Sequence, residues 1–122
     1  MPETIAIAVI DDDDSFRVAL AESLSTFGFE VGEYASAEDF LSANGEMSCN
    51  LAVTDIHMPG MSGLDLARRL ATSGRKLPII LITARSEASL EARGIAAGAV
   101  CFLRKPFEIG DLIKCIEKAI SA

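Results

Sequence analysis

The apolar run Ile5-Ala6-Ile7-Ala8-Val9-Ile10 ends abruptly in four consecutive aspartates, Asp11 to Asp14. A short apolar run without polar alternation suits a strand covered on both faces, as in a parallel sheet. The carboxylates at its exit crowd like charges together, which costs free energy unless a cation or solvent relieves it. Taken alone, the run fits either a bound cation or a solvated acidic loop.

The rest of the chain alternates short apolar runs with helical periodicity. The first strand is predicted over about 4–10. A helix follows, with Phe16, Leu20, Leu24 and Phe27 on one face and Gly28 as its stop. A second strand spans about 30–34. The second helix opens with Ser36 and Asp39 at capping-box spacing and ends near Gly45. The third strand is Leu51-Ala52-Val53-Thr54-Asp55, and its helix opens with Ser62 and Asp65 and ends near Gly74. An isoleucine-rich fourth strand covers about 78–83, and a weaker helix, interrupted by Gly94, runs from about Ser86 to 97. A fifth strand at about 100–103 precedes a helix at about 109–120, whose apolar stripe is Ile109, Leu112, Ile113, Ile116 and Ile120.

Strands alternating with helices predict an α/β domain built on a parallel sheet. Right-handed crossovers, with helices on both faces, leave few topologies. For 122 residues the expected one is a single flavodoxin-like (βα)5 three-layer sandwich, a parallel five-stranded sheet of order 2-1-3-4-5. In that order ligands bind at the carboxyl ends of the first and third strands. Asp11, Asp12 and Asp55 converge there from distant parts of the chain.

Three carboxylates with no paired Cys or His form a hard-oxygen site, which favours magnesium, manganese or calcium over zinc. Thr83 and Lys105 end two further strands at the same edge, and a hydroxyl and an ammonium are the groups that bind phosphoryl oxygens. Ala84 is small enough to leave room for a phosphate. The Gly-punctuated segment from Met58 to Gly63 brings backbone close to the site.

Composition narrows the partners. Half of the residues are hydrophobic and the formal net charge is −7, which argues against nucleic-acid or anionic-membrane binding by this domain. The three cysteines, Cys49, Cys101 and Cys115, have no metal-ligand spacing and read as buried, reduced thiols of a cytoplasmic protein. The amino terminus lacks the basic region of a leader, and the first apolar run is too short for a membrane span.

With these residues in place, the chain resembles the receiver domain of bacterial two-component response regulators. The matching stretches are Val9-Ile10-Asp11-Asp12-Asp13, the run from Val53 to Gly63, Ile82-Thr83-Ala84, and Phe102-Leu103-Arg104-Lys105-Pro106-Phe107. The resemblance implies that Asp55 is the phosphoacceptor, attacking a phosphohistidine on a sensor histidine kinase to form an acyl phosphate. It implies Mg2+ as cofactor, with Mn2+ as a substitute, held by Asp12 directly, by Asp11 through water, by Asp55, and by the backbone carbonyl of His57. Lys105 would pair with the phosphoryl group and Thr83 would hydrogen-bond to it. Phe102 would be a switch aromatic, and His57 and Arg85 would tune the phosphate lifetime. A cis Lys105–Pro106 bond is also implied. Output would pass through the fourth helix, fifth strand and fifth helix, to a homodimer or to a transcriptional effector domain beyond residue 122.

Three other functions compete. A single-domain phosphorelay protein would use the same chemistry. A magnesium-dependent phosphatase would use Asp11 and Asp13 as a D-x-D nucleophile pair. A flavodoxin-like nucleotide binder would need a phosphate-cradling loop where the four aspartates stand.

Overall fold

The computed structural model describes residues 4–73, 76–85 and 87–121. The elements alternate as expected: β1 (Ala6–Ile10), α1 (Asp14–Thr26), β2 (Glu30–Tyr34), α2 (Ala37–Ser42), β3 (Leu51–Asp55), α3 (Gly63–Ala71), β4 (Ile79–Thr83), α4 (Leu90–Ala96), β5 (Cys101–Arg104) and α5 (Ile109–Ile120). All strand pairs are parallel, in the order β2-β1-β3-β4-β5. This is the flavodoxin-like arrangement anticipated above.

The buried strands explain their composition. Every residue of β3 and β4 is buried. Burying an Ile or Leu side chain such as Ile80 or Leu81 contributes roughly 1.5–3 kcal/mol. Alternate strand residues feed two cores. One lies under α2, α3 and α4 and holds Ile10, Phe40, Ala52, Leu66, Leu70 and Leu81. The other lies under α1 and α5 and holds Val9, Leu24, Val53, Ile82, Leu112 and Ile116. The edge strand β2 is mostly exposed or half-buried.

Both predicted cap pairs form. Ser36 Oγ accepts from the Asp39 N–H at 2.9 Å. Ser62 and Asp65 make a full capping box, with Ser62 Oγ accepting from the Asp65 N–H at 3.1 Å. Other expectations need correction. Helix α2 stops at Ser42, and a separate 3-10 turn occupies Gly45–Met47. Phe27 is not on the buried face of α1: it is the C-cap, 55% exposed, because the chain turns away at Gly28 with φ +95°. Helix α4 begins only at Leu90; its expected start at Ser86, and the expected end of α3 at Gly74, lie outside the described residues.

Of the three cysteines only Cys49 is buried; Cys101 and Cys115 are half-buried, because β5 is the other sheet edge and α5 covers it incompletely. Burial, and then a hydrogen bond with the Cys101 thiol, pushes the Cys115 thiol up to about 12.

Candidate functional site

The carboxyl ends of β1, β3, β4 and β5 lie along one end of the sheet. The Asp11 N–H donates to the Tyr34 carbonyl at 3.1 Å, which extends the β1–β2 ladder by one rung and fixes Asp11 at the crevice. Its carboxylate is fully buried. Oδ1 accepts from the Asp13 N–H at 2.9 Å, and Oδ2 accepts from the Lys105 ammonium at 2.9 Å. Asp12 is exposed beside it. Asp55 closes β3 and is 8% exposed, with Oδ2 3.6 Å from Lys105 Nζ. One oxygen from each of Asp11, Asp12 and Asp55 lies within 4.8 Å of the others.

Backbone pairing sets the remaining groups. The Ile56 N–H donates to Ile82 O at 2.9 Å, and the Gly63 N–H donates to Ile56 O at 2.9 Å, closing the loop between β3 and α3. A Cβ at Gly63 would collide with the Asp55 carbonyl oxygen and sit 2.9 Å from Ile56 Cα, so α3 begins this close to the site only because residue 63 is glycine. On the far side the Lys105 N–H donates to Thr83 O at 2.7 Å. Thr83 is fully buried, and its hydroxyl accepts from the Arg85 N–H at 3.0 Å. Ala84 is exposed. The Lys105–Pro106 bond is cis.

The charges are unevenly balanced. Burial, and then repulsion from Asp11, hold Asp55 above the usual carboxylate range; the Lys105 ammonium and the His57 and Ile56 amides oppose this. Among the described residues, one ammonium, that of Lys105, faces the two buried carboxylates of Asp11 and Asp55, with Asp12 exposed beside them. The donors are all hard oxygens at close spacing, so the cluster could hold a divalent metal ion.

Residues 7–117 match the protein family described as the response regulator receiver domain. The chain belongs to that family. It is 37% identical over 114 residues to the response regulator protein TmoT of Ectopseudomonas mendocina, covering 93% of this chain and 52% of TmoT. It is 36% identical over 120 residues to the transcriptional regulatory protein FixJ of Azorhizobium caulinodans, covering 98% of this chain and 57% of FixJ. The chain thus spans about half the length of the curated relatives it matches. Among solved structures, FixJ-N superposes with a TM-score of 0.89 at 35% identity, covering 98% of this chain and 96% of that one. The activated DrrB receiver domain superposes with a TM-score of 0.86 at 28% identity, covering 98% and 100%. The domain is a phosphorylation-activated signalling receiver, and receivers of this family interact with sensor histidine kinases. No helix among the described residues is long and apolar enough to cross a membrane.

Within the receiver domain, the structure gathers Asp11, Asp12, Asp55, Thr83 and Lys105, as the motifs anticipated. His57 and Arg85 flank the same crevice. His57 Nε2 lies 3.8 Å, and Arg85 Nη1 3.9 Å, from Glu87 Oε1. Phe102 is half-buried against Leu81 and Gly94 rather than inside the crevice. Asp13 does not join the cluster: its carboxylate caps α1, accepting from the Phe16 N–H at 3.1 Å. Asp14 sits in the first turn, 2.8 Å from Arg17 Nη2. The D-x-D pair of a phosphatase is therefore divided between a cap and the acidic cluster.

Three supporting residues escaped the sequence reading. Arg17 donates to the Asp11 carbonyl at 2.8 Å and also reaches Glu33. Glu38 accepts from the Met61 N–H at 2.8 Å and packs on Gly60, whose φ of +78° no bulkier residue would adopt comfortably. Glu87 Oε1 lies 3.9 Å from Arg85 Nη1 and 3.8 Å from His57 Nε2, which has no hydrogen-bond partner among the described residues. None belongs to a motif, and the contacts of Arg17 with Glu33 and of Glu38 with Met61 appear only where the chain returns across the site. Phe16, expected on the buried face of α1, packs half-buried against the core there and also places its ring beside Lys105.

Proposed function

We propose that Asp55 is the phosphoacceptor and that the transfer requires Mg2+, with Mn2+ as a substitute. The observation that carries this reading is the packing of the Asp11, Asp12 and Asp55 oxygens within 4.8 Å of one another, with Lys105 Nζ 3.6 Å from Asp55. Asp12, Asp55 and the His57 carbonyl would hold the ion, with Asp11 contributing through water. When bound, the ion supplies the positive charge that offsets repulsion between the phosphoryl oxygens and the carboxylates.

The chain's own residues do the rest. An Asp55 oxygen attacks phosphorus in line, the bond from phosphorus to the kinase histidine nitrogen breaks, and that nitrogen keeps the electron pair. Lys105 turns from Asp11 toward the new phosphoryl oxygens. The Thr83 hydroxyl, already anchored by the Arg85 amide, donates to one of them. Movement of Thr83 makes room for Phe102 to turn inward, which shifts α4, β5 and α5. His57 and Arg85, which flank the crevice, set how readily water reaches the acyl phosphate. This is a population shift between two packings, driven by the differential affinity of the phosphoryl group for them.

In the cytoplasm this domain would receive its phosphoryl group from a sensor histidine kinase. It would pass the signal through the α4–β5–α5 face, to a second copy or to an effector domain controlling transcription, as the names of FixJ-type relatives suggest. Domain 1–122 would act as one receiver unit.

Intact-mass measurement after incubation with acetyl phosphate tests the reading. The expected result is one added phosphoryl group on the wild type with Mg2+, none without metal, and none on Asp55→Asn. Label persisting on Asp55→Asn, or no adduct under any condition, overturns it.

A further inference from the structure

A lysine ammonium on a four-carbon stem has no fixed direction of its own. Lys105 is nevertheless only 15% exposed, with Nζ 2.9 Å from Asp11, 3.6 Å from Asp55, and 3.9 Å from the centroid of the Phe16 ring. The ring is itself held: Phe107 meets it edge to face, with centroids 6.2 Å apart and planes at 80°. Its place on the helix is set by Asp13, whose capping carboxylate accepts the Phe16 N–H. We propose that Phe16 is a positioning residue for phosphoryl transfer, its ring face carrying the Lys105 ammonium between Asp11 and the phosphoryl group on Asp55.

The chemistry of the ring suits this task. An aromatic face attracts a cation through its quadrupole but offers no lone pair, so all three ammonium donors stay available to the carboxylates. A hydroxyl or amide in its place would compete for a donor. An aliphatic side chain would fill the volume without the attraction. The arriving phosphoryl group must draw Lys105 away from Asp11, and a partner indifferent to the direction of the donors holds Nζ in reach throughout that exchange.

The alternative is that Phe16 only fills the apolar groove it shares with Leu20, Pro106, Phe107 and Ile109. Fluorination separates the two, since it weakens the negative ring face with little change of volume. Phe16 is replaced in the full chain by mono-, di- and trifluorinated phenylalanine, and labelling by acetyl phosphate with Mg2+ is timed. The labelling rate is expected to fall stepwise with each fluorine, by about tenfold in all, which corresponds to about 1.4 kcal/mol. Phe16→Leu falls at least as far, and Phe16→Tyr restores the rate.

A second readout needs no phosphoryl group. The Lys105 ε-methylene protons of the wild type should be shifted upfield by the ring current, and Phe16→Leu should abolish the shift. The inference rests on Asp55 being the acceptor, and the two fail differently. An unlabelled wild type overturns both. A labelled wild type with a flat fluorinated series, or with unshifted Lys105 protons, overturns this inference alone.

Discussion

Helices α3 and α4 both follow strands that end at the site, and they are held very differently. Helix α3 starts from a full capping box and buries Gly63, Leu64, Leu66, Ala67 and Leu70. Helix α4 is shorter, its N-cap Ser89 makes no side-chain cap bond, and it buries Leu90 and Gly94 while Ile95 stands 50% exposed. The contrast matches the work of each region. On the mechanism proposed above, the backbone after Asp55 would hold a carboxylate and a loop carbonyl still while charge arrives. The segment after Thr83 would change its surface when the hydroxyl is pulled, so fewer fixed contacts are an advantage there.

The largest expected effect breaks the anchored side. Gly63→Ala places a methyl group against the Asp55 carbonyl and Ile56 Cα, which are backbone atoms that cannot step aside. It should cost at least about 3 kcal/mol, measured by urea denaturation, and should depress phosphorylation in the fraction that folds. Gly94→Ala is the matching change in α4. Its methyl group would meet Leu81 Cδ1 at 3.0 Å and Phe102 Cδ2 at 3.3 Å, both side-chain atoms that can move. The helical preference for Ala over Gly, about 1 kcal/mol, offsets the crowding, so net stability should change by less than about 1 kcal/mol. The same methyl group should bias the Phe102 ring, which a phosphate-mimic titration would detect.

The second effect concerns charge. Asp55 titrates above its ordinary 3.8, chiefly because it is buried and then because Asp11 repels it. A carboxyl whose folded pKa is raised adds nothing unfavourable while protonated in both states; its penalty builds as pH rises from the ordinary value and is complete above the raised one. Asp55→Asn removes that penalty. The variant should therefore melt above wild type at neutral pH, with the gap closing as pH falls through the raised value and gone below the ordinary one. Adding Mg2+ should stabilise the wild type and narrow the gap from the other direction. Equal melting temperatures at neutral pH without metal would contradict the assignment of charge at the crevice.

The two regions also differed in how well the sequence disclosed them. The β3–α3 segment was legible because its determinants are local: an apolar run, a terminal carboxylate, and Ser62 three residues before Asp65. The convergence of Asp11, Asp12 and Asp55 followed from strand order alone. The start of α4 was not legible, because Ser89 precedes it without a side-chain cap bond and no capping pair marks it. Phe27 was misplaced because a helix pattern cannot show where the chain leaves its axis. The parts played by Glu38 and Phe16 depend on a loop and a lysine that return from 23 and 89 residues away, and no local pattern encodes such meetings.

The smallest expected effects test the caps themselves. Ser62→Ala removes the hydroxyl that accepts from the Asp65 N–H and leaves only the reciprocal bond from the residue 62 N–H to the Asp65 carboxylate, so it should cost about 1 kcal/mol. Ser89→Ala removes a side chain that makes no cap bond to α4, so it should stay within about 0.5 kcal/mol of wild type. Thermal denaturation of the two variants side by side reads the difference directly. Equal losses would mean that α4 is anchored through Ser89 after all, and the division between a fixed acceptor platform and a loosely held output helix would have to be abandoned. A loss confined to Ser62→Ala would place the fixed end of the domain at the start of α3, where a cap, a glycine and the Asp55 backbone share one turn.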